Sequence, residues 1–510
     1  MYKRQTEPIR SRRRTILFRL LAITIGFSPL LICEAALRIG GWQQTNAVHD
    51  PFVGFTEIRP LFEPNPQGTH YEISKSRLPL FQPDSFLIEK PDDEFRIFCV
   101  GGSTVQGRPF SIETSFSTWL EMNLNTTDGS KNWQAINCGG VSYASYRLAP
   151  IVDEILKYEP DLIVLYTGHN EFLEDRTYES IRQTPAWIAR SHDRLSALKT
   201  YSFLRSQFVA NPADQNETEN TLPAEVEARL DFKNGLEQYH RDDLWKQEVT
   251  QHFNLNLRRI ISAVRAADVP IILCNPACDL RDSAPFKSQH RIDISAADRE
   301  KFSNVRLKFQ NTDTAEQTAE FEKQTLQRLL EIDAEHAMSH FKYATFCLAQ
   351  GEGELAKHHF LKSKELDICP LRATEPIYET IAAVIQEFEL PSIDVRNEFS
   401  LRAPDGIAGR ESLIDHVHPT IHGHQLIAEM LLEEMIELKL LSATVDVDKS
   451  EIEQRYAEHL KALPFMYFQQ GKDRLAGLKR WAAGKVTKER PTDKAPKTTT
   501  PTDNPPTEQP

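Results

Sequence analysis

Leu162-Ile-Val-Leu-Tyr166 is an uninterrupted apolar run, opened by Pro160-Asp161 and followed by Thr167-Gly168. A run of this kind, with no polar residue at alternate positions, fits a strand buried on both faces. Val269–Cys274 reads the same way, and Glu94–Gly101 is a short apolar strand ending in glycine. Trp133–Asn137 and Ser392–Val395 complete five predicted strands. Between them lie stretches with helical spacing: 115–124, 148–158 (apolar Ile151, Ile155 and Leu156), 255–267, 377–387 and 421–438. Strands alternating with helices imply a parallel sheet covered on both sides, hence the α/β class. In such sheets ligands sit beyond the carboxyl ends of the strands. The residues just after each strand are therefore where chemistry is to be sought.

Two insertions break this alternation. Residues 175–250 are polar and mostly helical in pattern. Residues 297–370 carry a predicted helix at Phe321–Ile332 and then, over Ala337–Ile368, one helix-turn-helix unit of the 34-residue tetratricopeptide type. Ala344, Gly351, Ala356 and Phe360 fall at its small and large packing positions, and Ser363 at a later one that usually carries alanine. The unit reads either as a hairpin packed on the domain or as a docking surface for a protein or long polymer.

The ends differ from the middle. Six basic residues precede Thr15, and the 19 residues from Thr15 to Cys33 contain one charge, Arg19. That run just spans a hydrocarbon core of about 30 Å. Arg19 sits near the basic end, where it reaches the headgroups. The expectation is a basic cytoplasmic segment 1–14, an anchor over 15–39, and everything later outside the cytoplasm, on the periplasmic or extracellular side. A cleaved signal peptide is the alternative, with the small pair Ala35-Ala36 but no Ala-x-Ala site. Residues 441–486 read as a helical extension. Residues 487–510 contain six prolines, seven threonines and one apolar residue, Ala495, which predicts disorder.

Composition excludes some classes. Sixty Lys+Arg against 73 Asp+Glu leave a net charge of -13, the wrong sign for a broad nucleic-acid surface. Seven cysteines, with no Cys-x-x-Cys pair, support neither a disulfide framework nor a structural zinc site.

Three segments carry chemistry. Gly101-Gly-Ser-Thr104 follows the first long strand, where Ser103 is placed as a nucleophile; Val105 stands where a strained Gly-x-Ser-x-Gly elbow needs glycine. Thr167-Gly-His-Asn-Glu171 follows the third strand, where the Asn170 amide is a neutral donor suited to a developing oxyanion. Asp415-His-Val-His-Pro419 precedes the last helix of the sheet domain. Its spacing lets one loop present the His418 imidazole with the Asp415 carboxylate that fixes its tautomer. The competing reading is a metal site from Asp415, His416, His418, His422 and His424, although His422 and His424 fall in the closing helix and need not converge with the rest.

Gly-Gly-Ser, then Gly-x-Asn, then Asp-x-x-His at the end of an α/β domain resembles the SGNH/GDSL hydrolase superfamily. The flanks Phe95-Arg-Ile-Phe98, Tyr158-Glu-Pro-Asp-Leu-Ile-Val164 and Gly423-His424 add to it. The whole looks like a membrane-anchored bacterial subgroup with tetratricopeptide-like helices. The resemblance covers about 94–175, 250–290 and 375–440. It implies a flavodoxin-like three-layer α/β/α fold over 90–440, with Ser103 as nucleophile, His418 as general base and Asp415 as its orienting partner. It implies an oxyanion hole from the Ser103 N–H, the Asn170 amide and a glycine N–H after the second strand. That glycine falls on Ser142, with Gly140 as the alternative donor. Glu171 stands where the family usually has aspartate, and supports the loop. The implied activity is cleavage of an acyl ester through an acyl-serine, with no metal or cofactor, on an acetylated envelope or extracellular carbohydrate. An O-acyltransferase, a lipase or thioesterase, and a non-enzymatic anchored scaffold are the alternatives.

Overall fold

A computed structural model of the chain describes residues 59–174, 226, 228–312, 318–443 and 446–488, with 28, 29, 33, 34, 36 and 200 as isolated positions. The chain divides into two units, Met1–Ile58 with Thr177–Leu222, and Arg59–Arg176 with Pro223–Pro510. In the first, the Glu34 carboxylate accepts hydrogen bonds from the Thr200 backbone N–H (2.8 Å) and hydroxyl (2.9 Å). Most of the expected anchor, the basic segment before it, most of the 175–250 insertion and most of the C-terminal tail lie outside the described residues. Among the described residues, no helix is long and apolar enough to cross a membrane.

The second unit opens with three short antiparallel strands, β1 (Phe62–Pro64), β2 (His70–Ile73) and β3 (Ser85–Leu87). The Glu154 carboxylate holds their start, accepting from the N–H groups of Leu61 and Phe62 at 2.7 and 2.9 Å. Then come β4 (Glu94–Gly101), a one-turn helix α1 (Ser103–Gln106), α2 (Phe116–Thr127), β5 (Asn132–Gly139), α3 (Ser145–Ile155) and β6 (Leu162–Tyr166). Helix α4 (Asp243–Ala266) leads into β7 (Ile271–Asn275). Helices α5 (Ala296–Asn311), α6 (Ala319–Ile332), α7 (Ala337–Ala349) and α8 (Gly353–Glu365) follow. The unit continues with α9 (Glu375–Phe388), β8 (Ser392–Asp394), α10 (Val395–Arg402), α11 (Ile421–Glu437), α12 (Lys449–Ala462) and α13 (Phe465–Ala482).

Strands β4 to β8 form one parallel sheet in the order β5-β4-β6-β7-β8. Counted from β4, this is the 2-1-3-4-5 order of flavodoxin-like sheets. Both faces are covered, and alternate side chains go to opposite sides. Phe95, Ile97, Cys99, Leu162, Val164, Ile272 and Cys274 share one apolar layer with Phe116, Trp119 and Leu120 of α2 and Ile427 and Leu431 of α11. On the other face α4 packs against α3 and α9. The chain reverses direction across the sheet between β4 and β6, and a crevice lies beyond the carboxyl ends of these two strands.

Several element boundaries differ from the sequence reading, among them those of α3 (Ser145–Ile155 rather than 148–158), α4 and β8. Helix α4 starts at Asp243, inside the segment assigned to the first insertion. The Asp242 carboxylate caps it by accepting from the Trp245 N–H, and buried Trp245, Val249, His252 and Phe253 extend its apolar face. Strand β8 stops at Asp394, whose carboxylate caps α10, a helix the sequence reading leaves out. In the second insertion, α7 and α8 form a hairpin turning at Gly351, where φ is 76°. Ala344, Ala356 and Phe360 are buried in it, in a cluster that includes Ile407 and Val417 of the loop before α11. The hairpin thus packs on the segment that carries Asp415 and His418.

Candidate active site

Strand β4 ends in Gly101-Gly102, and Ser103 begins the single turn of α1. Small residues are required here: a side chain at Gly102 would fall on the Asn170 amide nitrogen, and one at Gly101 on the Tyr166 carbonyl. This close approach places the loops after β4 and β6 side by side. The cleft between them is lined by Gly102, Ser103, Thr104 and Tyr166–Asn170, with Val417 from the third segment, and has room of about 10 Å³.

The third segment is folded by its own aspartate. Asp415 Oδ1 accepts from the N–H groups of Val417 (3.0 Å) and His418 (2.9 Å). Such a side-chain turn is local, which is why Asp-x-x-His suffices to bring carboxylate and imidazole together. The His418 carbonyl accepts from the Ile414 N–H, the His416 carbonyl from the Asp279 N–H, and the Val417 carbonyl from the Thr104 hydroxyl at 3.4 Å. His418 Nδ1 lies 2.7 Å from Asp415 Oδ2. A carboxylate only accepts, so Nδ1 carries the proton and Nε2 presents its lone pair. That nitrogen is 2.8 Å from Ser103 Oγ, which donates to it. Ser103 and His418 are both buried, at 9% and 3% exposure.

The electrostatics favour this tautomer. Burial alone would raise the Asp415 carboxyl, but the facing His418 and His416 rings and the N–H donors outweigh it and hold Asp415 well below the usual carboxylate range. Burial, then the nearby His416 and His418 rings, push His169 down to about 3. Burial pushes His416 and His424 down to about 4 and about 3. These three rings are therefore neutral at pH 7 and add no competing positive charge.

The expected oxyanion donors separate. The Asn170 amide donates to the Tyr143 carbonyl at 3.0 Å and lies beside Gly102 at the cleft. The Gly140 N–H is committed to the Gly101 carbonyl at 2.9 Å, a bond that ties the end of β5 to β4 and removes Gly140 as a donor. Ser142 has its N–H without a hydrogen-bond partner among the described residues and holds a left-handed φ of 62°. It is not among the residues lining the cleft in this state.

The site also uses contacts that the sequence does not advertise. The Glu171 carboxylate, fully buried, accepts from the Ser145 N–H (2.8 Å) and hydroxyl (3.0 Å). Asn170 and Glu171 thus grip the 142–145 turn from two sides. His169 Nδ1 accepts from the Ala373 N–H at 3.1 Å, and the Ala373 carbonyl accepts from the buried Lys364 ammonium at 2.9 Å. A polar chain therefore runs from α8 to the residue next to Asn170. The five-residue metal alternative does not assemble: His422 is exposed on α11 while His424 points inward, stacked on Phe116. Among the described residues no group of three or more such side chains is placed to hold a metal ion.

No family model matches the chain, and no curated protein does. Solved structures are similar to it at low identity. An acetyl xylan esterase is 13% identical, with 66% of this chain and 98% of that one covered and a TM-score of 0.29. The lipase/acylhydrolase from Enterococcus faecalis is 11% identical, covering 70% and 99%, with a TM-score of 0.31. A GDSL-like lipase from Bacteroides thetaiotaomicron is 10% identical, covering 69% and 93%, with a TM-score of 0.29. Scores at this level leave the chemistry to be argued from the side chains: a serine, an imidazole and a carboxylate in hydrogen-bonded sequence at the crevice of a parallel sheet.

Proposed function

We propose that this chain is a serine esterase of the SGNH/GDSL type. The observation that carries the reading is the contact of Ser103 Oγ with His418 Nε2 at 2.8 Å, with Asp415 on the far nitrogen. His418 takes the hydroxyl proton as Ser103 Oγ bonds to an ester carbonyl carbon. The carbonyl π electrons move to oxygen, where the Ser103 N–H and the Asn170 amide, with Ser142 as a further donor, stabilise the charge. Collapse expels the alcohol, which takes its proton from His418. Water then attacks the acyl-serine with His418 again as base, releasing the acid and restoring the hydroxyl. An acetylated carbohydrate outside the cytoplasm, reached by a chain anchored over 15–39, fits the basic flank and apolar run of the N-terminus.

Turnover of an aryl acetate tests the reading. Ser103→Ala abolishes it with the melting curve unchanged, and Asp415→Asn lowers kcat by roughly 10⁴-fold, the scale for loss of the correct tautomer. Full activity of Ser103→Ala refutes the assignment. Offering acetylated polysaccharide with and without acceptor sugars separates hydrolysis from acyl transfer.

A further inference from the structure

In a chain of net charge -13, residues 463–488 reverse the sign: six basic residues stand against one acid, Asp473. They belong mostly to α13. Its inner face is accounted for: Tyr467, Gly471 and Arg474 pack on the loop after the nucleophile. The Tyr467 hydroxyl bonds with Thr114 Oγ1 (2.7 Å), Arg474 donates to the Phe110 carbonyl, and Phe110 stacks on Tyr467. Trp481 donates to Asp231 at 2.8 Å. The outer face is different. Phe465, Lys472, Ala476, Lys479 and Ala483 recur at helical spacing on one stripe, flanked by Arg480, and all are exposed. Phe465 and Met466 leave 76% and 57% of their surface in solvent. Among the described residues, Lys472, Lys479 and Arg480 have no ion-pair partner, although acids are in excess elsewhere on the chain.

An exposed aromatic–aliphatic pair leading a row of unpaired cations is the pattern of a helix lying in a membrane interface, its apolar side chains in the headgroup region and its cations on anionic lipid. A soluble polyanion would satisfy the cations but give Phe465 and Met466 nothing to bury against. We propose that the outer face of α13 docks on an anionic lipid surface. This contact is separate from the expected N-terminal anchor and does not depend on the esterase reading.

The test uses the full-length chain with vesicles of phosphatidylcholine alone and of phosphatidylcholine with 30% phosphatidylglycerol, followed by hydrogen exchange of peptides covering 461–483. Exchange there slows on the anionic vesicles and not on the neutral ones. Salt at 0.5 M reverses the slowing, because the attraction is screened. The K472S/K479S/R480S variant loses it, since each cation near such a surface contributes roughly fivefold in binding. F465S, a second variant, weakens it with the charges intact. Equal exchange on both vesicles overturns the proposal. So does slowing that survives the triple substitution, or slowing by a soluble polyanion such as polygalacturonate with none by anionic vesicles.

Discussion

Ser142 holds a left-handed backbone with a side chain that disfavours it, at φ 62°. Its proposed contribution is the main-chain N–H, so the side chain is dispensable. Ser142→Gly therefore keeps kcat for an aryl acetate and raises stability by about 1 kcal/mol, read as a shift in the urea midpoint. A large loss of kcat would show that the Ser142 side chain, and not its N–H alone, takes part. The turn that carries it is held by Glu171 through Ser145. Glu171→Ala lowers kcat by about 10²-fold with KM little changed, the scale for one lost oxyanion donor, and Glu171→Gln recovers most of it. Equal damage from Gln and Ala would point to the charge rather than the geometry. The serine, the dyad and Asn170 were legible because each sits in a short, local pattern: Asp415 folds its own loop, and Gly102 makes room for Asn170. The choice between Ser142 and Gly140 was not, because it turns on the Gly101 carbonyl capturing the Gly140 N–H, a pairing between strands remote in sequence.

Elements were legible in proportion to their length and periodicity. Strand β6 and helix α11 announce themselves by continuous or helically spaced apolar residues. Strands β1 to β3 do not, since three or four residues hold too little pattern, and β1 ends in a proline. Helix α11 also carries a pH liability. Both ring nitrogens of buried His424 lack a hydrogen-bond partner among the described residues, and burial pushes the ring down to about 3. The folded state thus keeps His424 neutral while the unfolded chain binds a proton below about 6.5. Its contribution to stability is present above that pH and is lost as pH falls toward 3. His424→Phe, stacked on Phe116 in the same way, is more stable than the parent at pH 7 and gains further at pH 5, where parent and variant melting curves diverge. A constant gap between pH 7 and pH 5 would show that the ring is already solvated.

At the scale of the molecule, the alternation of strands and helices predicted a parallel sheet, and the order β5-β4-β6-β7-β8 sets Ser103 and Asn170 on either side of its crevice. The way the second insertion joins that sheet was hidden in the sequence. Lys364 is buried and donates to the Ala373 carbonyl and to Glu375 at 2.9 Å each, while the Ala373 N–H holds His169. Lys364→Met costs about 1–3 kcal/mol in thermal or urea unfolding, as a charged hydrogen-bonding group leaves buried partners unpaired. An unchanged unfolding midpoint would mean that the hairpin is only loosely seated. The most direct test of the whole account is fluorophosphonate labelling of the folded full-length chain, with the adduct located by peptide mass spectrometry. The account predicts one adduct, on Ser103, forming at least 10³-fold more slowly in His418→Ala. Folded protein that takes no label at Ser103, or takes it equally fast without His418, would contradict it.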